Sequence, residues 1–377
     1  GPTEFQPRSG ATAVGARDFL VAFNVNLNTT STRRANAIAF DVREKGRKDP
    51  KDATKWIPGT LKAAKGIGWF IEEYGVCQVS LNLTDVSVTS MHAAFDEVER
   101  CAAARGVRVT GSELVGLIPL RALLDAGRHF LRKQNRSLGV PDRELIKIAV
   151  RSLGLDELSP FDPQKKVIEY VLAARAAKKR LVDLTLRGFT EETASESPAP
   201  GGGSVAAAVG ALGAALGTMV ANLSSHKQGW DARWEEFSRH AERGQAVADR
   251  LLALVDADTD AFHAVMNAWR NPKDVEAMQT AVRGAIETPL AVMATSLEAM
   301  EVCAAMAEHG LKASASDAGV GAMCARLAVR GAGLNVRINL KDLADEAARS
   351  NYLARARELE QQAEVAEAKI LQTLALG

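Results

Sequence analysis

The chain has 377 residues, 47% of them hydrophobic and 25% charged. That composition supports a full buried core in two or three domains and excludes a disordered, collagenous or disulfide-stapled chain. The formal net charge of +1 conceals a division: residues 1–180 carry 29 Lys and Arg against 20 Asp and Glu, and the remainder carries 18 against 26. The two halves therefore differ in electrostatic character and are expected to do different work.

In chain order, residues 18–27 (DFLVAFNVNL) read as a strand. Ser31 is placed to cap a helix that runs to about Glu44 and stops at Gly46. A polar stretch with Pro50, Pro58 and Gly59 leads to two strand-like runs, 67–73 and 76–84, separated by Gly75. A helix from about Ser90 to Ala104 and a short strand, 107–110, complete a βαββαβ order, the split βαβ of ferredoxin-like folds. Helices are predicted near 120–133, 142–153 and 162–180. Beyond Leu181 about five long Ala-rich helical segments follow, with breaks at 198–203, Gly229, Asn271-Pro272 and Gly310. The predicted fold is an α+β ferredoxin-like N-terminal region followed by an all-α helical-bundle C-terminal domain. The expected division is 1–178, a linker with a first helix at 179–198, and 199–377. The amphipathic end, 352–376, suits either an oligomer interface or packing on its own domain.

Cys77, Cys101, Cys303 and Cys324 form no C-x-x-C pair, and the six histidines are scattered. Free thiols in a reducing, cytoplasmic compartment and no metal centre are the expectation. No secretory signal pattern opens the chain. Residues 205–223 are uncharged and long enough to span a bilayer, but their Ala and Gly content favours a buried helix by roughly four to one.

Two clusters suggest chemistry. Gly201, Gly202, Gly203 and Ser204 lead into a helix, so freed backbone N–H groups and a helix N-terminus could cradle a carboxylate or phosphate. A flexible entry loop capped by Ser204 fits the pattern equally well. Asp256, Asp258 and Asp260 lie in LVDADTDAF, where Asp256 and Asp260 share a helix face and Asp258 points elsewhere. A calcium loop is excluded by Ala261 and Asn267 at its invariant positions. Carboxylates beside apolar residues suit acid–base work, though a solvated acidic face is the commoner outcome of such spacing. The basic residues from Arg43 to Lys65 suit a polyanion or simply a solvated face. Lys65-Gly-Ile-Gly-Trp-Phe70 is a poor match to an RNA-recognition signature, so no nucleic-acid partner is expected. Asn24, Asn26 and Asn82 interrupt apolar strands and need partners in the fold or on a ligand.

Taken together, Gly1-Pro-x-x-Phe5-x-Pro7-x-x-Gly10, Phe23-Asn-Val-Asn-Leu27, Gly66-Ile-Gly-Trp69, Gly111-Ser112, Ala199-Pro-Gly-Gly-Gly-Ser-Val-Ala-Ala207, Val255-Asp-Ala-Asp258 and Asn335-Val-Arg-Ile-Asn-Leu340 resemble the formiminotransferase-cyclodeaminase family over essentially the whole chain. The resemblance implies a folate enzyme of histidine degradation. One domain of the family moves a formimino group from formiminoglutamate to tetrahydrofolate. The other closes the product to 5,10-methenyltetrahydrofolate and releases ammonia. It implies that Asp258 is the cyclodeaminase catalytic residue. It also implies that Gly1, Pro2, Thr3, Glu4, Phe5, Gln6, Pro7, Arg8, Ser9 and Gly10 match the folate-binding segment. Gly201, Gly202, Gly203 and Ser204 are added as substrate-binding residues. The carrier is tetrahydrofolate, polyglutamylated, and assembly into homo-oligomers follows from the resemblance. The family's transferase domain has two α/β halves, with its catalytic histidine in the first. The resemblance starts at the second, which puts transferase activity of this chain alone in doubt. Methenyltetrahydrofolate cyclohydrolase and a non-catalytic folate- or RNA-binding scaffold are the alternatives.

Overall fold

The computed structural model describes residues 7, 8, 10, 12, 14–16, 18–175, 180–270 and 273–375. The chain divides into two compact units: Gly1–Phe130 with Asp142–Ala177, and Leu131–Pro141 with Lys178–Gly377.

The first unit contains β1 (Val21–Leu27), α1 (Thr32–Val42), β2 (Arg47–Lys48), β3 (Trp56–Ile57), β4 (Ala64–Ile71), β5 (Val76–Leu83), α2 (Met91–Ala103) and β6 (Val109–Val115). The four long strands form an antiparallel sheet in the order β4-β5-β1-β6, which is the ferredoxin-like arrangement. Val21, Phe23, Val25 and Leu27 alternate onto one face of β1 and are fully buried with Ile38, Leu81 and Val98. Ser31 and Ser90 cap α1 and α2, each hydroxyl accepting a backbone N–H three residues on. Gly68 lets α1 approach β4. Its N–H donates to the Asn36 side chain, whose amide returns a bond to the Gly68 carbonyl. A Cβ at residue 68 would lie 2.2 Å from the Ala35 carbonyl carbon.

The last strand runs 109–115 rather than 107–110, because it pairs with β1 from Ala22 to Leu27, a register no local pattern announces. The polar stretch holds the two-residue β2–β3 ribbon. There Lys45 stands over the Trp56 ring, Arg47 pairs with Asp41, and Lys55 pairs with Asp52. The apolar interruptions are satisfied inside the fold: Asn24 and Gln78 donate to Glu113, Asn26 donates to Glu157, and Gln78 also donates to Asn26. Asn82 is exposed. After the sheet come α3 (Leu120–Lys133), α4 (Asp142–Leu153), α5 (Pro163–Lys166) and α6 (Ile168–Arg175). The single helix predicted at 162–180 is interrupted at Val167, whose backbone is extended and which forms a bridge with Ile118.

The second unit is all helical: α7 (Leu186–Thr193), α8 (Gly202–Ser225), α9 (Trp234–Trp269), α10 (Val275–His309), α11 (Ala315–Asn339) and α12 (Glu346–Ala375). The segment Leu131–Pro141 belongs with it, the Asn222 side chain donating to the Gly139 carbonyl. The apolar run that passes for a membrane span by length and hydropathy is α8, the central helix of the bundle, packed on α9, α10 and α11. Its buried face is Ala206, Ala207, Gly210, Ala211, Gly213, Ala214 and Gly217. Such small side chains bring backbones together: the Gly213 and Gly321 positions meet so closely that a Cβ on either would fall within 3 Å of the other's carbonyl oxygen.

Candidate active site

Segments of four helices, α8, α9, α10 (through Ala285) and α11, build a cavity of about 210 Å³ in the second unit. The entry of α8 supplies Gly201, Gly202 and Gly203. The last turns of α9 supply Asp258, Thr259, Phe262, Met266 and Trp269. The end of α11 supplies Asn335 and Asn339. Each set follows from helical period: 258, 262, 266 and 269 recur on one face, as do 335 and 339.

Asp258 is partly buried at the N-terminus of α8. The Ser204 hydroxyl donates to its Oδ2 at 2.9 Å and lies 3.3 Å from the Thr259 hydroxyl. Burial pushes the Asp258 carboxyl above the ordinary carboxylate range, and hydrogen bonding from Ser204 holds it partly back. A carboxyl so placed is a stronger base than a solvated one. Gly203 is required by this contact: a Cβ there would stand 2.1 Å from Asp258 Oδ1.

The glycine entry of α8 therefore already has a carboxyl packed against it, the protein's own Asp258. Ser204 is fully buried and acts on that carboxylate, whereas Gly201, Gly202 and Gly203 line the cavity. The acidic cluster separates by role. Asp256 accepts the Leu181 backbone N–H at 2.7 Å, Asp258 faces the cavity, and Asp260 is exposed. Of the N-terminal segment, Gly1, Pro2, Thr3, Glu4, Phe5, Gln6 and Ser9 lie outside the described residues. Pro7, Arg8 and Gly10 are exposed.

The sequence reading placed Asn335 and Asn339 in a matching motif but gave them no role in the site. The Asn335 amide donates to the Gly331 carbonyl of its own helix at 3.0 Å. Asn339 donates to the Ala285 carbonyl of α10 at 2.7 Å. Pro289 lies inside α10 and has no N–H to offer Ala285 four residues back, so Asn339 supplies the missing donor. The available signal was a pair of polar residues four apart in an Ala- and Gly-rich helix, together with a proline inside its neighbour. No Lys, Arg or His lines the cavity among the described residues, and Asp342 adds a second carboxylate. No group of three or more His, Cys, Asp or Glu is disposed to hold a metal ion among the described residues.

With this geometry in view, relatives and family models are informative. The model described as formiminotransferase-cyclodeaminase matches residues 185–358, and that of the formiminotransferase domain matches residues 22–173. The chain belongs to the formiminotransferase-cyclodeaminase family. It is 40% identical to the mouse formimidoyltransferase-cyclodeaminase over 99% of its own length and 69% of that protein. It is 34% identical to a methenyltetrahydrofolate cyclohydrolase of Methylorubrum extorquens over 43% of this chain and 82% of that one. A solved formiminotetrahydrofolate cyclodeaminase from Thermotoga maritima shares 32% identity across 51% of this chain and 96% of that one, with a TM-score of 0.49. The protein is thus an enzyme with formiminotransferase and cyclodeaminase domains, and it acts in folate one-carbon metabolism. The match over residues 22–173 removes the ground for doubting the transferase part.

Proposed function

We propose that the bundle converts 5-formiminotetrahydrofolate to 5,10-methenyltetrahydrofolate and ammonia, with Asp258 as the proton shuttle. The observation that carries this reading is the Asp258 carboxylate, raised by burial, held by Ser204 and facing a cavity. N10 of the folate attacks the formimino carbon, and its proton passes to Asp258. Asp258 then delivers that proton to the formimino nitrogen as the carbon–nitrogen bond breaks. One C–N bond forms, one breaks, the positive charge stays on the folate, and the carboxylate is regenerated. No metal is needed for this sequence, and chelator should leave the rate unchanged. The test is to mix the protein with 5-formiminotetrahydrofolate and follow ammonia and methenyl product. Unchanged ammonia release by Asp258→Asn would remove Asp258 from the mechanism.

The first unit is proposed to contribute to formimino transfer between formiminoglutamate and a polyglutamylated tetrahydrofolate carrier, and residues 1–10 to bind folate. The excess of Lys and Arg over Asp and Glu in residues 1–180 supports the polyglutamate preference. Affinity that rises with glutamate number and falls with salt is expected. The division near 178 and 198 belongs to this reading. So does assembly into homo-oligomers, supported by the exposed Val320, Met323, Leu327 and Leu334 along α11. Light scattering at micromolar concentration tests it. A cytoplasmic setting is supported by four unpaired cysteines. Identity to a cyclohydrolase favours hydrolysis of the methenyl product as the second reading. Hydrolysis without ammonia release from the formimino substrate would establish it.

A further inference from the structure

We propose that Asn335 and Asn339 determine specificity in the bundle cavity by accepting hydrogen bonds from N–H groups of the formimino nitrogen. This rests on the cyclodeaminase reading above. The orientation of both amides follows from their partners. A carbonyl oxygen can only accept, so the groups bonded to Gly331 O and Ala285 O must be the amide nitrogens. The Oδ1 atoms are the groups free to accept, and both residues line the cavity. No hydrogen bond within the protein is made to either oxygen among the described residues. For Asn339 the arrangement is enforced from outside its own helix, because Pro289 leaves Ala285 O in need of a donor.

The cavity is consequently rich in acceptors, with the Thr259 hydroxyl and the Trp269 indole as its side-chain donors. Asp258 and Asp342 are carboxylates, Asn335 and Asn339 present carbonyl oxygens, and no cationic side chain lines it among the described residues. Such a lining favours a cation rich in N–H donors. The formimino group on N5 is an amidinium when protonated and offers N–H groups at its outer nitrogen. A formyl group in the same place has nearly the same shape but offers an acceptor oxygen. It would set lone pairs against the Asn oxygens and leave them unpaired. The methenyl product has no N–H at the reacting carbon, so these contacts end when ammonia leaves. Substrate is therefore held in preference to product.

The experiment uses the full chain with 5-formiminotetrahydrofolate as substrate and 5-formyltetrahydrofolate as competitive inhibitor of ammonia release. Following ammonia confines the readout to the bundle, whatever the first unit binds. Asn335→Ala and Asn339→Ala should each raise KM for the formimino substrate on the order of tenfold, with kcat much less changed. The inhibition constant of the formyl compound should stay the same or fall. Asn335→Asp, which keeps an acceptor, should retain the preference for formimino over formyl. An equal rise for substrate and inhibitor, or no change in either, would overturn the proposal and leave the two residues as cavity walls. If Asn339→Ala unfolds by losing its tie to α10, Asn335→Ala carries the test, since that amide bonds only its own helix. Absence of ammonia release from the unmodified chain would remove the cyclodeaminase reading itself, and this inference with it.

Discussion

The sheet unit and the helical bundle exclude water by opposite means. Phe23, Leu27, Ile38, Leu81 and Leu83 are fully buried in the first, where large side chains fill the space between helices and sheet. In the second, the central helix α8 packs through Ala206, Ala207, Gly210, Ala211, Gly213 and Ala214, and its neighbours come in to meet the backbone. Large side chains fail when atoms are removed, because a cavity is left behind. Small ones fail when atoms are added, because backbone cannot give way. The site exploits the second arrangement: Gly203 lets the Asp258 carboxylate settle against the start of α8, where a side chain would displace it. The same closeness removes water from that carboxylate and raises its pKa.

Four measurements break or sharpen this contrast. Asp258→Asn should lower ammonia release by about 10²–10⁴-fold, the usual worth of a positioned acid–base group, with the circular dichroism spectrum unchanged. Transfer chemistry assigned to the other unit should be unaffected. Phe23→Ala should cost about 3–5 kcal/mol, read as loss of hydrogen-exchange protection in the strands and not in α8. Gly213→Ala should cost about 1–3 kcal/mol in the bundle, although alanine is the better helix former, because the added carbon meets the Gly321 carbonyl at 2.6 Å. The mildest change is Gly202→Ala, whose added carbon finds nothing nearer than Asn335 at 3.5 Å. Stability should stay within about 0.5 kcal/mol of the parent. Gly203→Ala, one residue on, should lose most of the activity. Equal effects at 202 and 203 would refute the role given to the close approach.

Acidity supplies a further check. Burial makes the folded pKa of Asp258 higher than the unfolded one, so the folded state binds this proton more tightly. That contribution to stability is fully present below the unfolded pKa and is lost as pH rises through the folded one. Asp258→Asn should therefore melt higher than the parent at neutral pH, with the gain disappearing in acid. A melting difference independent of pH would count against burial as the cause.

Strand alternation in β1, the Ser31 cap, the start of the helix at Ser90 and the long Ala-rich helices were legible because each is written within a few residues. The limits of α3 and α4 were legible for the same reason. So was the motif that carries Asp258, since its carboxylates stand in an otherwise apolar turn. The sequence by itself thus determined the main strands and helices, the division into a sheet region and a helical bundle, and the acidic cluster from which the family resemblance picks Asp258. Only the tertiary structure decided what each group faces. It sent Asp256 to the Leu181 N–H and Asp258 to the cavity. It set the protein's own carboxyl against the glycine entry of α8 and joined Leu131–Pro141 to the bundle. It also turned Asn339 toward a carbonyl that Pro289, fifty residues earlier, had left without a donor. These outcomes depend on contacts between residues far apart in the chain. Helix period orients a side chain about its own axis, but it does not say which neighbour will be there to meet it.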